Sequence, residues 1–409
     1  VYHTLYATPD GLMYEYPGLA AAGRLGRHIA PLANPIPLPE GASLILIPGA
    51  APVGYRREKE VTLSRNPHGE ECLAVAACLP QGFTRTHLPA YRRAERRPLP
   101  LYGYTAVAWS EGRVYAAALP TDDPEPWNPR HYNTPDLPGL VARRLADAPH
   151  NTVLKGLARC ALEYRCFTAQ NIFYRRWEGG LPTTPACNAR CLGCLSRQER
   201  GGPPAPQKRI RRLPPLPDVV DAGAEHLALA PGAIVSFGQG CEGEPLLSAA
   251  FLAQAIASMR RRTGRGTVNV NSNAGSTAGL AEVAAAGLDS LRVSLASATD
   301  ETFQAYHRPA YRLADVKNSL KLAVRAGVYT SLNLLVFPGL TDCPSEQAAL
   351  LDLVTETGLH MVQLRNLNID PALMEPLLPR EEPAGIGALI EELRRVPGLT
   401  VGNFSRPRR

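Results

Sequence analysis

Residues 181–194 read Leu181-Pro182-Thr183-Thr184-Pro185-Ala186-Cys187-Asn188-Ala189-Arg190-Cys191-Leu192-Gly193-Cys194. Residues 181–186 have the texture of a short strand, and a C-x3-C-x2-C spacing follows on one loop. Three thiolates within eight residues suit a single iron–sulfur cubane. Electron-transfer clusters usually take four cysteines, so a [4Fe-4S] cluster on this loop keeps one iron free of protein ligands. An iron of that kind is a binding site for a cofactor or substrate. A structural zinc is the competing reading, but zinc wants four ligands, usually as two paired sets, and no C-x2–4-C pair accompanies the loop.

Downstream of this loop, apolar β-branched runs alternate with Ala/Leu/Glu-rich helical segments, the pattern of a parallel βα repeat. The runs predict strands near 181–186, 233–237, 267–272, 289–295, 329–336 and 360–367, a last helix at 386–395 and a final extended piece at 399–404. A complete eight-unit barrel needs about 250 residues. The segment 180–405 therefore has room for about six units, and the fold class is α/β with a partial (β/α)6 TIM-like barrel. In such barrels the chemistry collects on the loops at the C-terminal ends of the strands, which is where the cysteines lie.

Upstream, residues 1–125 form a β-rich N-terminal domain by their turn signals, with strands expected at 43–47, 60–64, 73–79 and a hairpin of 104–110 and 113–119. Residues 126–179 make a linker and helical connector, helical at 140–146 and 152–176, and 406–409 are a basic tail. The chain has 409 residues, enough for two or three domains, with 45% apolar and 20% charged residues. Its longest apolar runs fall far short of the ~20 residues needed to span a bilayer, so no membrane partner is expected. No secretory signal opens the sequence, which makes a cytoplasmic location the expectation. The net charge of +7 is mild for a dedicated nucleic-acid binder. Nine cysteines in a long chain point to metal or redox use rather than to a disulfide framework.

The loop of Cys187, Cys191 and Cys194 resembles the signature of the radical S-adenosylmethionine (radical SAM) superfamily, C-x3-C-x-aromatic-C after the first strand of a partial barrel. The resemblance covers about residues 180–405. It implies a [4Fe-4S] cluster on the three cysteines and SAM chelated through its methionyl amino and carboxylate groups. It further implies reductive cleavage to a 5′-deoxyadenosyl radical that abstracts hydrogen from a substrate, with a reductant such as ferredoxin or flavodoxin as partner. One position departs from the signature: Gly193 stands where an aromatic residue usually packs near adenine, leaving only a backbone contact there.

A second loop, Gly238-Gln239-Gly240-Cys241-Glu242-Gly243-Glu244-Pro245, follows the strand at 233–237. Its G-x-G-x-x-G spacing also fits a dinucleotide turn, but the next strand ends in Asn and Ser rather than the acidic residue that holds a ribose. Instead, Glu242-Gly243-Glu244 looks like the radical SAM "GGE" loop. Small residues such as Gly240 and Gly243 let backbone approach the methionyl ammonium, and Glu244 supplies the complementary charge. Gln239 and Glu242 belong to the same loop. Cys241 at its mouth is a candidate hydrogen donor or ligand, or a packing residue.

By the same resemblance, Ser272 and Asn273 close the third strand over the cofactor. On the fourth strand Ser294 bonds the ribose and Arg292 lies near the carboxylate. Phe337 packs near adenine, Asn366 belongs to the cofactor cradle, and Gln363, Arg365 and Asn368 are candidates for substrate contacts. Cys160 and Cys166 would lie about 240° apart on an unbroken helix, so only a break lets them join an auxiliary cluster, with Cys241 or Cys343 as further ligands. The basic run Arg197, Arg200, Lys208, Arg209, Arg211 and Arg212 could hold phosphates of RNA or an anionic substrate. A non-catalytic, metal-stabilised RNA-binding protein is accordingly the alternative function.

Overall fold

The computed structural model describes residues 1–93 and 97–408, so Arg409 of the basic tail lies outside the described residues. The β-branched runs after residue 230 form the centre of a seven-stranded, all-parallel sheet in sequential order: Glu178–Gly180, Ile234–Phe237, Thr267–Ser272, Ser290–Leu295, Tyr329–Val336, Met361–Asn366 and Thr400–Gly402. Helices separate successive strands from the second to the seventh. Among the described residues the first and seventh strands do not pair, which leaves the barrel open. The strands before the last are largely buried on both faces, as parallel strands covered by helices must be.

Two expectations change. The first strand is Glu178–Gly180 rather than 181–186, and it pairs in register from Glu178 opposite Ile234 to Gly180 opposite Ser236. Packing, not propensity, sets this strand: a Cβ on Gly179 would stand 2.3 Å from Ile172, and one on Gly180 would stand 2.8 Å from Gln239. The final extended piece is a seventh strand paired with the sixth.

Before the barrel, Leu137–Asp147, Thr152–Leu162 and Phe167–Tyr174 are helices whose apolar residues, including Leu154, Leu157, Ile172 and Phe173, belong to the same hydrophobic cluster as the barrel core. The connector is thus part of the barrel's packing. Its long helix breaks after Leu162: Arg165 takes a left-handed φ of 52°, and the Cys166 N–H bonds the Cys160 carbonyl at 3.0 Å. That break corrects the expectation of one helix over 152–176.

The N-terminal residues form a largely antiparallel sheet of 13 strands and a separate two-stranded ribbon of Phe83–Arg85 with Ala118–Pro120. A long strand, Met13–Leu25, runs through it and was not expected, because Pro17 and Gly18 interrupt its pattern. This domain seats on the C-terminal ends of the fifth and sixth barrel strands through Arg85. The guanidinium is 1% exposed, donates to the carbonyls of Tyr104 (3.2 Å), Val336 (3.1 Å) and Leu367 (2.9 Å), and lies over the Phe337 ring. Burial without a counter-ion pulls its pKa down to about 9. Arg85→Ala would leave three carbonyls without this donor, and we expect a loss of about 3 kcal/mol in denaturant unfolding. Arg85→Met should recover only the packing part; a change below about 0.5 kcal/mol in Arg85→Ala would contradict this role for the guanidinium.

Candidate functional site

The chain from 181 to 187 forms no regular element and is locked against the loop after the second strand by the Glu242 carboxylate. Buried, it accepts from the N–H groups of Thr183 (2.7 Å), Thr184 (2.9 Å), Gly238 (2.5 Å) and Gln239 (3.0 Å), and from the Thr183 hydroxyl (3.1 Å). Desolvation raises its pKa while these backbone donors lower it. Glycines allow the two segments to meet: a Cβ on Gly243 would sit 1.8 Å from the Ala186 carbonyl oxygen, and one on Gly238, at φ 80°, 1.8 Å from that of Asn271. Glu242 therefore builds the site and does not line it.

This lock delivers the cysteine loop to a cavity of about 190 Å³ at the C-terminal mouth of the barrel. Cys187, Cys191, Gly193, Cys194, Gly243, Glu244, Ser272, Asn273 and Ser294 line it. Glu244 is 4% exposed, and its two oxygens accept from the Ser272 hydroxyl (2.6 Å), the Leu246 N–H (3.0 Å) and the Asn273 N–H (2.7 Å). Burial is the larger influence and pushes its carboxyl up to about 7. The Ser294 hydroxyl accepts from Asn333 at 3.1 Å.

Hydrogen bonds orient the cysteines. The Cys191 sulfur lies 3.3 Å from His307 Nδ1, while His307 Nε2 accepts from the Ala296 N–H at 3.1 Å. With Nε2 accepting, the proton of the neutral ring sits on Nδ1 and points at the sulfur; burial, which pulls His307 down to about 3, keeps the ring neutral. Arg209 donates to the Cys194 sulfur at 3.3 Å and to the Ser196 hydroxyl at 3.0 Å. Burial, and then the neighbouring cysteine sulfurs, push the Cys191 thiol up.

Tyr306 answers the question posed by Gly193. A Cβ on Gly193 would stand 2.8 Å from the Tyr306 hydroxyl, so no larger side chain fits. The Tyr306 ring, 1% exposed and lining the same cavity, brings in an aromatic surface from the helix Asp300–His307. Sequence reading missed Tyr306, His307, Asn271 and Leu335. The first two lie more than a hundred residues from the cysteines, and no local spacing signals them.

Other expected residues are placed elsewhere. Arg292 does not reach the cavity: its guanidinium pairs with buried Glu178 at 2.9 Å and bonds Asn271 (2.6 Å) and Ser405 (3.0 Å) inside the barrel. Phe337 is fully buried under Arg85. The Asn366 amide is taken by the N-terminal domain, accepting from the Arg85 N–H and donating to the Phe83 carbonyl, each at 2.9 Å. Gln363 and Arg365 are likewise held in buried networks, to Ser331 and to Gln81 and the Asn403 carbonyl. Gly240 packs on Leu195.

Gln239 and Cys241 line a different cavity, of about 30 Å³, together with Cys160 and Cys166. The helix break brings these three cysteines from separate segments to one place, whereas Cys343 is buried apart, its sulfur against the Gly339 carbonyl. Burial pushes the Cys160 thiol up to about 11. Among the described residues no three His, Cys, Asp or Glu side chains are grouped to close on a single ion.

Residues 181–351 match the family model of the radical SAM superfamily. Over these residues the barrel is similar to radical SAM domains. Radical SAM proteins use a [4Fe-4S] cluster and SAM, and the donor set found here fits both: three thiols on one loop, with a carboxylate, hydroxyls and a glycine-lined floor beside them. No curated protein matches the chain by sequence. Among solved structures, the chain is similar to HydG, a maturase of the [FeFe]-hydrogenase, at 13% identity over 65% of this chain and 62% of that one, with a TM-score of 0.41. It is also similar to the radical SAM methyltransferase TsrM from Kitasatospora setae, at 20% identity over 47% and 37% with a TM-score of 0.37. A third likeness is to methylornithine synthase, PylB, at 12% identity over 65% and 81% with a TM-score of 0.38. The chain thus spans less than two thirds of HydG and of TsrM. Among the described residues no helix is long and apolar enough to cross a membrane.

Proposed function

We propose that this protein is a radical SAM enzyme: Cys187, Cys191 and Cys194 hold a [4Fe-4S] cluster, SAM binds beside it, and a hydrogen atom is taken from a substrate at the barrel mouth. One observation carries the reading: the three thiols and the buried Glu244 carboxylate, from two loops more than forty residues apart, line one cavity with Ser272 and Ser294. When bound, the cluster supplies the electron that cleaves SAM reductively. The chain's own residues do the rest. Glu244, fixed by three donors, receives the methionyl amino group, and the backbone of Gly243 allows close approach. Ser294 is placed for the ribose, and the Tyr306 ring offers the apolar surface for adenine. His307 and Arg209 aim N–H groups at two of the three sulfurs, which stabilises thiolate ligands and raises the cluster potential. A cluster of this kind belongs in a reducing cytoplasm, and all nine cysteines are unpaired.

Anaerobic reconstitution tests this. We expect about four irons per chain, a brown chromophore near about 400 nm, and 5′-deoxyadenosine when dithionite and SAM are added. Zinc in place of iron, with no nucleoside product, would instead support the metal-stabilised binding protein. Tyr306→Ala should weaken SAM binding about tenfold, with Tyr306→Phe within about twofold of the parent, as measured by equilibrium dialysis. Equal affinities in all three would remove the ring from the site.

A further inference from the structure

Ala189, Cys191 and Cys194 face two cavities at once. One is the barrel-mouth cavity described above; the other, of about 450 Å³, lies on the opposite side of the cysteine loop, toward solvent. Five arginines line the outer cavity: Arg190, Arg197, Arg200, Arg209 and Arg308. The single carboxylate in its lining, Glu199, is paired with Arg308 at 3.0 Å. Arg190, Arg197 and Arg200 are exposed and have no carboxylate partner among the described residues. Arg209 joins the two sides, since it lines the basic cavity and donates to the Cys194 sulfur.

We infer that this arginine cup is the docking site of an acidic electron-donor protein carrying a reduced flavin or iron–sulfur centre. The inference rests on the function proposed above. An electron must reach the cluster from a side that SAM does not fill, and the outer cavity reaches two of the three cysteines from that side. One electron passes from the donor's reduced centre to the oxidised cluster, and no atom is transferred. Concentrated positive charge at this spot steers a negatively charged partner and fixes its orientation. RNA is the less fitting occupant: no aromatic side chain lines the cup to stack a base.

The test compares the parent with the Arg190→Glu/Arg197→Glu/Arg200→Glu variant, using recombinant flavodoxin hydroquinone and dithionite as alternative reductants. With flavodoxin, the rate of bleaching near about 400 nm should fall about 10- to 100-fold in the variant and lose its steep dependence on salt. Reduction by dithionite, too small to need docking, should stay unchanged and also reports that the variant is folded. Metal-free protein titrated with oxidised flavodoxin should show weaker binding by a similar factor. Equal rates and equal affinities in parent and variant would overturn the inference, as would loss of oligouridylate binding with flavodoxin reduction intact. If the parent forms no chromophore at all, the proposed function fails, and the metal-free titration still decides whether the cup binds an acidic redox protein.

Discussion

Cys191→Ser should abolish the cluster: reconstituted iron is expected to fall from about four per chain to below about one, with no 5′-deoxyadenosine formed. Cys191 is the middle ligand, and its sulfur faces the barrel cavity while receiving the His307 N–H. Serine keeps the size and loses the soft thiolate, so the fold should survive. Equivalent changes at Cys160, Cys166 or Cys241 line only the smaller cavity and should leave the four irons in place. Iron analysis with near-ultraviolet absorbance reads the contrast. Retention of iron in Cys191→Ser, or its loss in Cys241→Ser, would mean the cluster sits elsewhere.

Glu244→Gln should weaken SAM binding about 10- to 100-fold, the scale of a lost charged hydrogen bond, and should change how stability depends on pH. In the metal-free protein, burial raises the Glu244 carboxyl from 4.5 to about 7. The folded state therefore keeps a proton that the unfolded chain has already released between those values. The stability it contributes is present below pH 4.5, declines as pH rises through the window and is gone above pH 7. Glutamine does not titrate. Between pH 5 and pH 8 the parent should thus lose about 2–3 kcal/mol relative to the variant, on top of any constant cost of facing the Asn273 N–H with an amide donor. All other titrating groups, buried His226 among them, are common to both proteins and cancel. Urea denaturation at the two pH values measures the difference; a pH-independent gap would show that the carboxylate is not held in a desolvated site.

The barrel was largely legible because its central strands are continuous apolar runs, and those at 233–237, 267–272, 289–295, 329–336 and 360–367 match the structure to within a residue at each end. Glu178–Gly180 was not legible: two glycines and a carboxylate carry no strand signal, and only the nearness of Ile172 and Gln239 explains them. Local spacing picked out the cysteine loop and Glu244, which the structure brings to one cavity. The site was illegible where a partner lies far along the chain. Alternation puts Arg292 and Ser294 on one face, yet Glu178, 114 residues away, takes the arginine and leaves the serine to the cavity. In the same way Arg85 takes the surroundings of Phe337 and Asn366 for the domain junction, and Tyr306 supplies an aromatic surface that position 193 has no room to carry.

The most direct measurement is electron paramagnetic resonance of the anaerobically reconstituted, dithionite-reduced protein, recorded before and after SAM is added. With an iron free of cysteine and Glu244 beside it, SAM should shift the signal of a reduced [4Fe-4S] cluster in the parent and not in Glu244→Gln at the same SAM concentration. A signal that SAM leaves unchanged in the parent, from a cluster with its full complement of irons, would contradict a cofactor site at this loop.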